Sequence, residues 1–105
     1  MKYLKILIVN IIKNMKIAFD IDGTLQGQFR TVNWVHNTLI RYAEDGHDII
    51  VWSGGGIDYA KRYVETHKLP ARVIRKCTED VDIAFDDAYD HIAGATITIQ
   101  VPLAD

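Results

Sequence analysis

The feature that most constrains this chain is an alternation of short apolar runs with stretches of helical periodicity. From residue 15 onward this alternation predicts strands at 16–21, 47–52, 72–76, 81–85 and 96–101, with helices at 31–45 and 57–68. A helical turn or short helix is also predicted at 87–93. Helices that serve as crossovers between strands are typical of a parallel sheet. We therefore expect an α/β fold, a three-layer α/β/α, Rossmann-like, mainly parallel sheet.

Length and composition restrict the chain to one small domain of ordinary globular character. It has 105 residues, of which 49% are hydrophobic and 25% are charged. Its net charge of −2 disfavours nucleic acid as a partner without excluding it. A single cysteine, Cys77, excludes an internal disulfide and suits a reducing cytoplasm, which is the location we expect. No membrane association is expected.

Residues 1–14 form an apolar extension that is set apart from the core domain predicted at 15–105. The run is broken by Asn10 and Lys13, and a membrane span needs about 20 apolar residues. A signal peptide is also disfavoured, because no small-residue cleavage site follows before Met15. The extension is therefore interpreted as an added packing element, or as a segment upstream of a natural start at Met15.

Polar or charged residues follow four of the predicted strands. Asp20 and Asp22 end the first, Ser53 and three glycines follow the second, Lys76 ends the third, and Asp86-Asp87 follows the fourth. Parallel strands place their carboxyl ends at one edge of a sheet, which is where such sheets bind ligands. We therefore expect these residues to converge on one site.

The two aspartates of the first group are the most informative part of that pattern. Residues two apart in an extended chain point the same way, so Asp20 and Asp22 can face one site if the strand continues through Asp22. The alternative is a surface turn, because Asp-Gly is a common turn pair. A turn does not explain acidic residues at the end of a buried strand, where unpaired charge is costly.

The segment 19–25, Phe-Asp-Ile-Asp-Gly-Thr-Leu, resembles the first motif of the haloacid dehalogenase-like (HAD) superfamily of phosphatases. Ser53, Lys76 and the Asp86-Asp87 pair resemble its second, third and fourth motifs. The resemblance extends over residues 15–101, and it implies the small capless type, because the chain has no room for a cap domain.

This resemblance implies a magnesium-dependent phosphohydrolase that cleaves phosphate monoesters through an aspartyl-phosphate. Asp20 would be the nucleophile, and Asp22 the general acid and then the general base. Lys76 would be catalytic by offsetting negative charge. The metal would be held by oxygens of Asp20, of Asp22 through its backbone carbonyl, and of Asp86 or Asp87, and the sequence leaves open which of these last two binds it.

Phosphate binding is expected from the residues nearest the nucleophile: Thr24, Ser53, Gly54 and Lys76. The glycines after Ser53 also fit a merely flexible loop, and Lys61 competes with Lys76 but falls inside a predicted helix. Without a cap the site should be open. An open site suits a small-molecule or tethered phosphate ester, and it is compatible with a homo-oligomer that shields the site.

Two other functions remain open at this stage. One is a catalytically weak, metal-binding HAD-like interaction module. The other is a receiver-type switch that accepts a phosphoryl group without rapid hydrolysis. In receiver domains the acidic pair and the phospho-acceptor come from different strands and the lysine comes last, whereas here Lys76 precedes the second acidic pair. The sequence does not identify the substrate, and a sugar phosphate, a nucleotide and a nucleic-acid end all stay open.

Overall fold

A computed structural model describes residues 14–102 as an α/β fold with a five-stranded parallel sheet and two helices. The elements are β1 (Lys16–Phe19), α1 (Asn33–Glu44), β2 (Asp48–Val51), α2 (Ile57–His67), β3 (Arg72–Val73), β4 (Val81–Asp86) and β5 (Ala95–Gln100). The α/β class and the parallel sheet are therefore confirmed. The apolar extension predicted at 1–14 lies, apart from Asn14, outside the described residues.

The strands are arranged in the order β3-β2-β1-β4-β5, so β1 lies at the centre of the sheet. Phe19, the last residue of β1, is in register with Val51 of β2 and Phe85 of β4. Backbone hydrogen bonds continue this register by one residue, from Asp20 N–H to Phe85 O (3.0 Å) and from Trp52 N–H to Phe19 O (3.1 Å). The residues that follow these three strands are therefore brought to the same level at one edge.

Both helices pack on the same face of the sheet. Their buried residues Val35, Leu39, Ala60 and Tyr63 join one apolar cluster with alternate strand residues such as Ile17, Phe19, Ile49, Val51 and Phe85. The rings of Phe19 and Phe85 are stacked in it, with centroids 4.6 Å apart. A smaller cluster occupies the other face: Ala18, Ile50, Trp52, Val81, Ala84, Ile92 and Ala95. No helix covers that second face within residues 14–102.

The helix ends follow the sequence signals only in part. Thr31 was the expected N-cap of α1, but the N-cap is Val32, which makes no side-chain capping bond. The hydroxyl of Thr31 donates instead to Asn33 Oδ1 at 3.1 Å, so it is not available to the helix. At the other end, Gly46 has a φ of +92° and donates its N–H to Ala43 O. This left-handed conformation confirms Gly46 as the predicted C-terminal glycine.

One predicted strand is shorter than expected, and one predicted short helix is absent. The third strand ends at Val73 rather than at residue 76, because the chain turns there, with the N–H and the hydroxyl of Thr78 both donating to Arg75 O. Residues 87–93 do not form a helix. In that segment Ala88 N–H bonds to Asp86 Oδ1 and Ile92 N–H bonds to Thr98 Oγ1, so side chains take up backbone donors that a helix would use.

The amino ends of the strands carry ion pairs rather than a site. Arg72 makes two 2.8 Å hydrogen bonds to the carboxylate of Asp48, and it also contacts Glu79. Lys16 lies 3.3 Å from the same Glu79. These charges are partly exposed and mutually compensated, in contrast to the carboxyl edge. Neither of the described helices has the length and apolarity that a membrane crossing requires.

Candidate active site

Asp20 occupies the loop that follows the central strand, and it is buried although it is acidic. Its side chain is only 6% exposed. Its N–H is tied to Phe85 O in the neighbouring strand, and its carbonyl accepts a bond from Leu25 N–H at 3.3 Å. The carboxylate is therefore held at the middle of the carboxyl edge by backbone bonds on both sides.

Lys76 reaches this position from the connection between β3 and β4. Its Nζ lies 3.3 Å from Asp20 Oδ1 and 2.8 Å from Asp86 Oδ2. Burial disfavours the charged ammonium, but the contact with Asp86 and the negative charges of Asp20 and Asp86 outweigh it and raise the pKa of Lys76. Lys76 is therefore a fixed cation between two carboxylates.

Asp86 and Asp87 lie at the end of β4 and complete an acidic cluster. Carboxylate oxygens of Asp20, Asp86 and Asp87 lie within 4.8 Å of one another. Asp86 is 1% exposed, and its Oδ1 accepts a bond from Ala88 N–H at 2.9 Å. Its Oδ2 lies 2.8 Å from the ammonium of Lys76. Three carboxylates this close together are suited to a divalent cation.

The cluster changes the acidity of its members. Burial and then the negative charge of Asp86 raise the pKa of Asp20 to about 6, although Lys76 acts in the opposite direction. Burial is also the main reason that the pKa of Asp87 is raised. Like charges at this separation are unfavourable without a further cation, so the cluster is electrostatically prepared to bind one.

Gly23 makes room for this cluster. It has a φ of +84°, and a Cβ built on it would overlap the carboxyl group of Asp87. Only glycine combines this backbone conformation with the absence of a side chain. The glycine of the Asp-x-Asp-Gly segment thus allows the loop after β1 to pass directly beside Asp87.

Asp22 lies in a turn that follows β1. β1 ends at Phe19, two residues before the predicted end of the strand, and the chain then turns, with Thr24 N–H and Gln26 N–H both bonded to Ile21 O at 3.0 and 2.8 Å. Asp22 is exposed, and its Oδ1 accepts a bond from the Tyr59 hydroxyl at 2.8 Å. The condition that the strand continues through Asp22 is therefore not met.

Ser53 and Gly54 begin the loop between β2 and α2. Ser53 is buried, its Oγ accepts a bond from Gly55 N–H at 3.0 Å, and its carbonyl accepts one from Gly56 N–H at 3.1 Å. The serine therefore closes a tight loop, while Gly54 is exposed with no atom near the position of a Cβ. The loop borders a cavity of about 540 Å³ whose lining includes Lys76, Arg75 and Asp58.

Thr24, which is predicted to bind phosphate, lies in the turn after β1. It is completely buried, and its hydroxyl has no hydrogen-bond partner within residues 14–102. Its backbone N–H closes the turn by donating to Ile21 O.

Sequence reasoning missed three residues at this edge, namely Tyr59, Asp58 and Arg75. One signal was present: Asp58 and Tyr59 fall in the first turn of a helix that begins directly after the glycine loop, so they had to lie at the carboxyl edge. Arg75 lies in the β3–β4 connection, one residue before Lys76.

The arrangement combines a buried carboxylate, a fixed ammonium, a three-carboxylate cluster and an adjacent cavity at one edge of the sheet. Carboxylate oxygens in such a cluster can hold a hard divalent cation, and a carboxylate beside a cation can attack an electrophile. Comparison of the chain with protein-family models, with curated proteins and with solved structures found no match. Any functional assignment therefore depends on this geometry and on the motifs.

Proposed function

We propose that this protein is a magnesium-dependent phosphohydrolase of the HAD-like superfamily, which cleaves phosphate monoesters with Asp20 as the nucleophile. Its core would be the capless three-layer, Rossmann-like form of that fold. The single observation that carries the proposal is the meeting of Asp20, Lys76, Asp86 and Asp87 from three separate connections of the sheet. Phosphoryl transfer depends mainly on positioning and on charge stabilisation, and this set supplies both.

In the first step an oxygen of Asp20 attacks phosphorus, and the bond from phosphorus to the ester oxygen breaks. The product is an aspartyl-phosphate on Asp20, and the leaving alkoxide takes a proton from Asp22. In the second step water attacks phosphorus, gives its proton to Asp22, and releases inorganic phosphate and the free Asp20 carboxylate. Asp22 thus ends in the protonation state in which it began.

Lys76 has two functions in this scheme. Its ammonium keeps the buried Asp20 in reach of a substrate by pairing with Asp20 and Asp86 together. It also supplies positive charge beside the phosphoryl oxygens, which are negative throughout the reaction. Gly54, which is exposed in the loop after Ser53 and borders the same cavity, would add its backbone N–H as a further donor.

The donor set fits Mg²⁺, which prefers carboxylate and carbonyl oxygens and retains water ligands. Asp20, Asp86 and Asp87, whose carboxylate oxygens lie within 4.8 Å of one another, would hold it together with the backbone carbonyl of Asp22. When bound, the cation would neutralise charge between the carboxylates and the phosphate. Its presence would also counter the raised pKa of Asp20 and keep that nucleophile ionised.

The cavity beside the cluster suits the alcohol part of the ester. Lys76 is common to the cavity lining and to the pairing with Asp20, so a phosphate at Asp20 would place its ester group there. The lining combines charged side chains with the apolar side chain of Ile57, so it suits an alcohol that carries both polar and apolar groups.

The proposal is tested by hydrolysis of p-nitrophenyl phosphate by the full chain with Mg²⁺ and after chelation by EDTA. We expect turnover that needs the metal, and loss of turnover in Asp20→Asn. Rapid quenching in acid should trap a phosphoryl group on wild-type protein and none on Asp20→Asn. Exposed Asp45→Asn at the end of α1 is the matched control and should retain activity.

Two results would contradict the proposal in different ways. Binding of Mg²⁺ by a correctly folded wild-type protein, with no hydrolysis across a panel of phosphorylated metabolites, would favour the metal-binding module. Stable labelling of Asp20 by an acyl phosphate without release of inorganic phosphate would favour the receiver-type switch. A panel of this kind would also identify the substrate if turnover is found.

A further inference from the structure

Tyr59 connects the first turn of α2 to the loop that follows β1. Its hydroxyl donates a 2.8 Å hydrogen bond to Asp22 Oδ1. Asp22 is exposed, and this is the one side-chain hydrogen bond that it makes among residues 14–102. An exposed carboxylate without such a bond samples several rotamers, so the phenol restricts where the Asp22 carboxylate points.

The ring of Tyr59 is itself held in place. It packs against the main apolar cluster, and a Cβ built on Gly55 would lie 3.0 Å from its Cδ2 and 3.3 Å from Ser53 Oγ. The absence of a side chain at Gly55 therefore lets the ring lie against the loop that begins at Ser53. Burial and the hydrogen bond to Asp22 raise the pKa of Tyr59, which keeps its hydroxyl protonated and able to donate at neutral pH.

We propose that Tyr59 is a positioning residue for Asp22. This inference rests on the proposed function, in which Asp22 exchanges protons with the ester oxygen and then with water. Because Tyr59 holds Oδ1 of Asp22, Oδ2 is the oxygen left free for both exchanges.

The leaving group determines how much this positioning should matter. A phenolate with electron-withdrawing groups leaves without protonation, whereas an alkoxide does not, because its conjugate acid is a very weak acid. Loss of the bond from Tyr59 to Asp22 should therefore slow the hydrolysis of alkyl esters more than that of aryl esters with good leaving groups.

The test compares Tyr59→Phe with wild type on an alkyl ester, glycerol 3-phosphate, and on an ester with a good leaving group, p-nitrophenyl phosphate. We expect kcat/KM to fall roughly ten- to hundredfold for the alkyl ester and by less than about twofold for the aryl ester. Tyr63→Phe is the matched control, because Tyr63 lies one turn further along α2 and donates to Gln26 rather than to Asp22. It should affect both esters equally.

A double-mutant cycle separates positioning from a general effect on folding. In an Asp22→Asn background, Tyr59→Phe should cause no further selective loss, because the group that it positions is already absent. Thermal unfolding of each variant reports on its stability. Equal loss on both esters, no loss on either, or an undiminished effect in the Asp22→Asn background would each overturn the inference. Loss of activity in Asp20→Asn would still support the proposed function whatever the result for Tyr59→Phe. The proposed function and the inference about Tyr59 can therefore fail separately.

Discussion

The ammonium of Lys76 lies 2.8 Å from the buried carboxylate of Asp86. The two residues come from separate parts of the sheet, because Lys76 follows the edge strand β3 and Asp86 ends β4, which lies next to the central strand. The same ammonium is 3.3 Å from Asp20. One cation therefore links two carboxylates that would otherwise repel each other at the carboxyl edge of the sheet. This contact makes Lys76 a stabilising residue as well as a candidate catalytic one.

Lys76→Met should lower both stability and activity. Removal of one partner from a buried ion pair leaves uncompensated charge, so we expect a loss of about 3 kcal/mol in the free energy of unfolding at neutral pH without metal. Urea unfolding measures this loss, and Mg²⁺ should restore part of it. Lys61→Met, at an exposed position of α2, is the control and should change stability by less than about 0.5 kcal/mol. Similar values for both variants would contradict the role of Lys76.

The raised pKa of Asp20 predicts a specific pH dependence for the metal-free protein. The pKa is about 6 in the folded protein and near its ordinary value of 3.8 in the unfolded chain. Between these values the folded state binds more protons, so stability falls as pH rises from about 4 to about 6 and is then level. A shift of this size corresponds to about 3 kcal/mol at most.

This pH dependence is measured as the difference in unfolding free energy between wild type and Asp20→Asn in EDTA, which removes the contributions of other groups. Relative to the variant, wild type should lose stability over that pH range and be less stable above it. Saturating Mg²⁺ should reverse the difference at neutral pH, because the cation binds the ionised carboxylate. If the difference in unfolding free energy between wild type and Asp20→Asn does not change with pH, the pKa of Asp20 is not raised in the folded protein.

Gly23→Ala should disturb the metal site through Asp87. The added Cβ overlaps the Asp87 carboxyl group, and the φ of +84° is unfavourable for alanine. We expect a loss of about 1–3 kcal/mol in stability together with weaker Mg²⁺ binding by calorimetry. Gly54→Ala has an open Cβ position and no positive φ, so its stability should match wild type. Unchanged Mg²⁺ affinity in Gly23→Ala would remove Asp87 from the cation site.

Arg75→Gln should change substrate preference rather than the chemical step. The guanidinium is exposed, lines the cavity beside Lys76, and forms no ion pair within the described part of the chain. A second negative group on the alcohol should therefore be favoured. We expect kcat/KM for 3-phosphoglycerate to fall about fivefold while that for glycerol 3-phosphate stays within about twofold, as suits one exposed charge pair.

Two further variants check the direction of this effect. Asp58→Asn, on the same cavity, should raise kcat/KM for 3-phosphoglycerate, because it removes a like charge from the lining. Arg62→Gln, which is exposed on α2 and outside this cavity, should leave both substrates unchanged. Equal changes for both esters in Arg75→Gln would place its guanidinium away from the alcohol part of the substrate.

The sequence by itself determined the α/β class, the parallel sheet and the set of charged residues expected at its carboxyl edge. These follow from local patterns, because apolar runs specify strands and helical periodicity specifies crossovers. A residue that ends a strand, such as Asp86, or directly follows one, such as Asp20, lies at the edge of the sheet. Gly46 was predicted for the same reason, since the end of a helix is a local conformation.

Only the tertiary structure decided how those residues face one another. The packing of α1 and α2 on one face, the reach of Lys76 to both Asp20 and Asp86, and the bond from Tyr59 to Asp22 join residues far apart in the chain. The turn after Phe19 also ends the strand before Asp22, and no periodicity encodes that change. Such contacts depend on the register of neighbouring strands and on the packing of the core, which are properties of the whole domain.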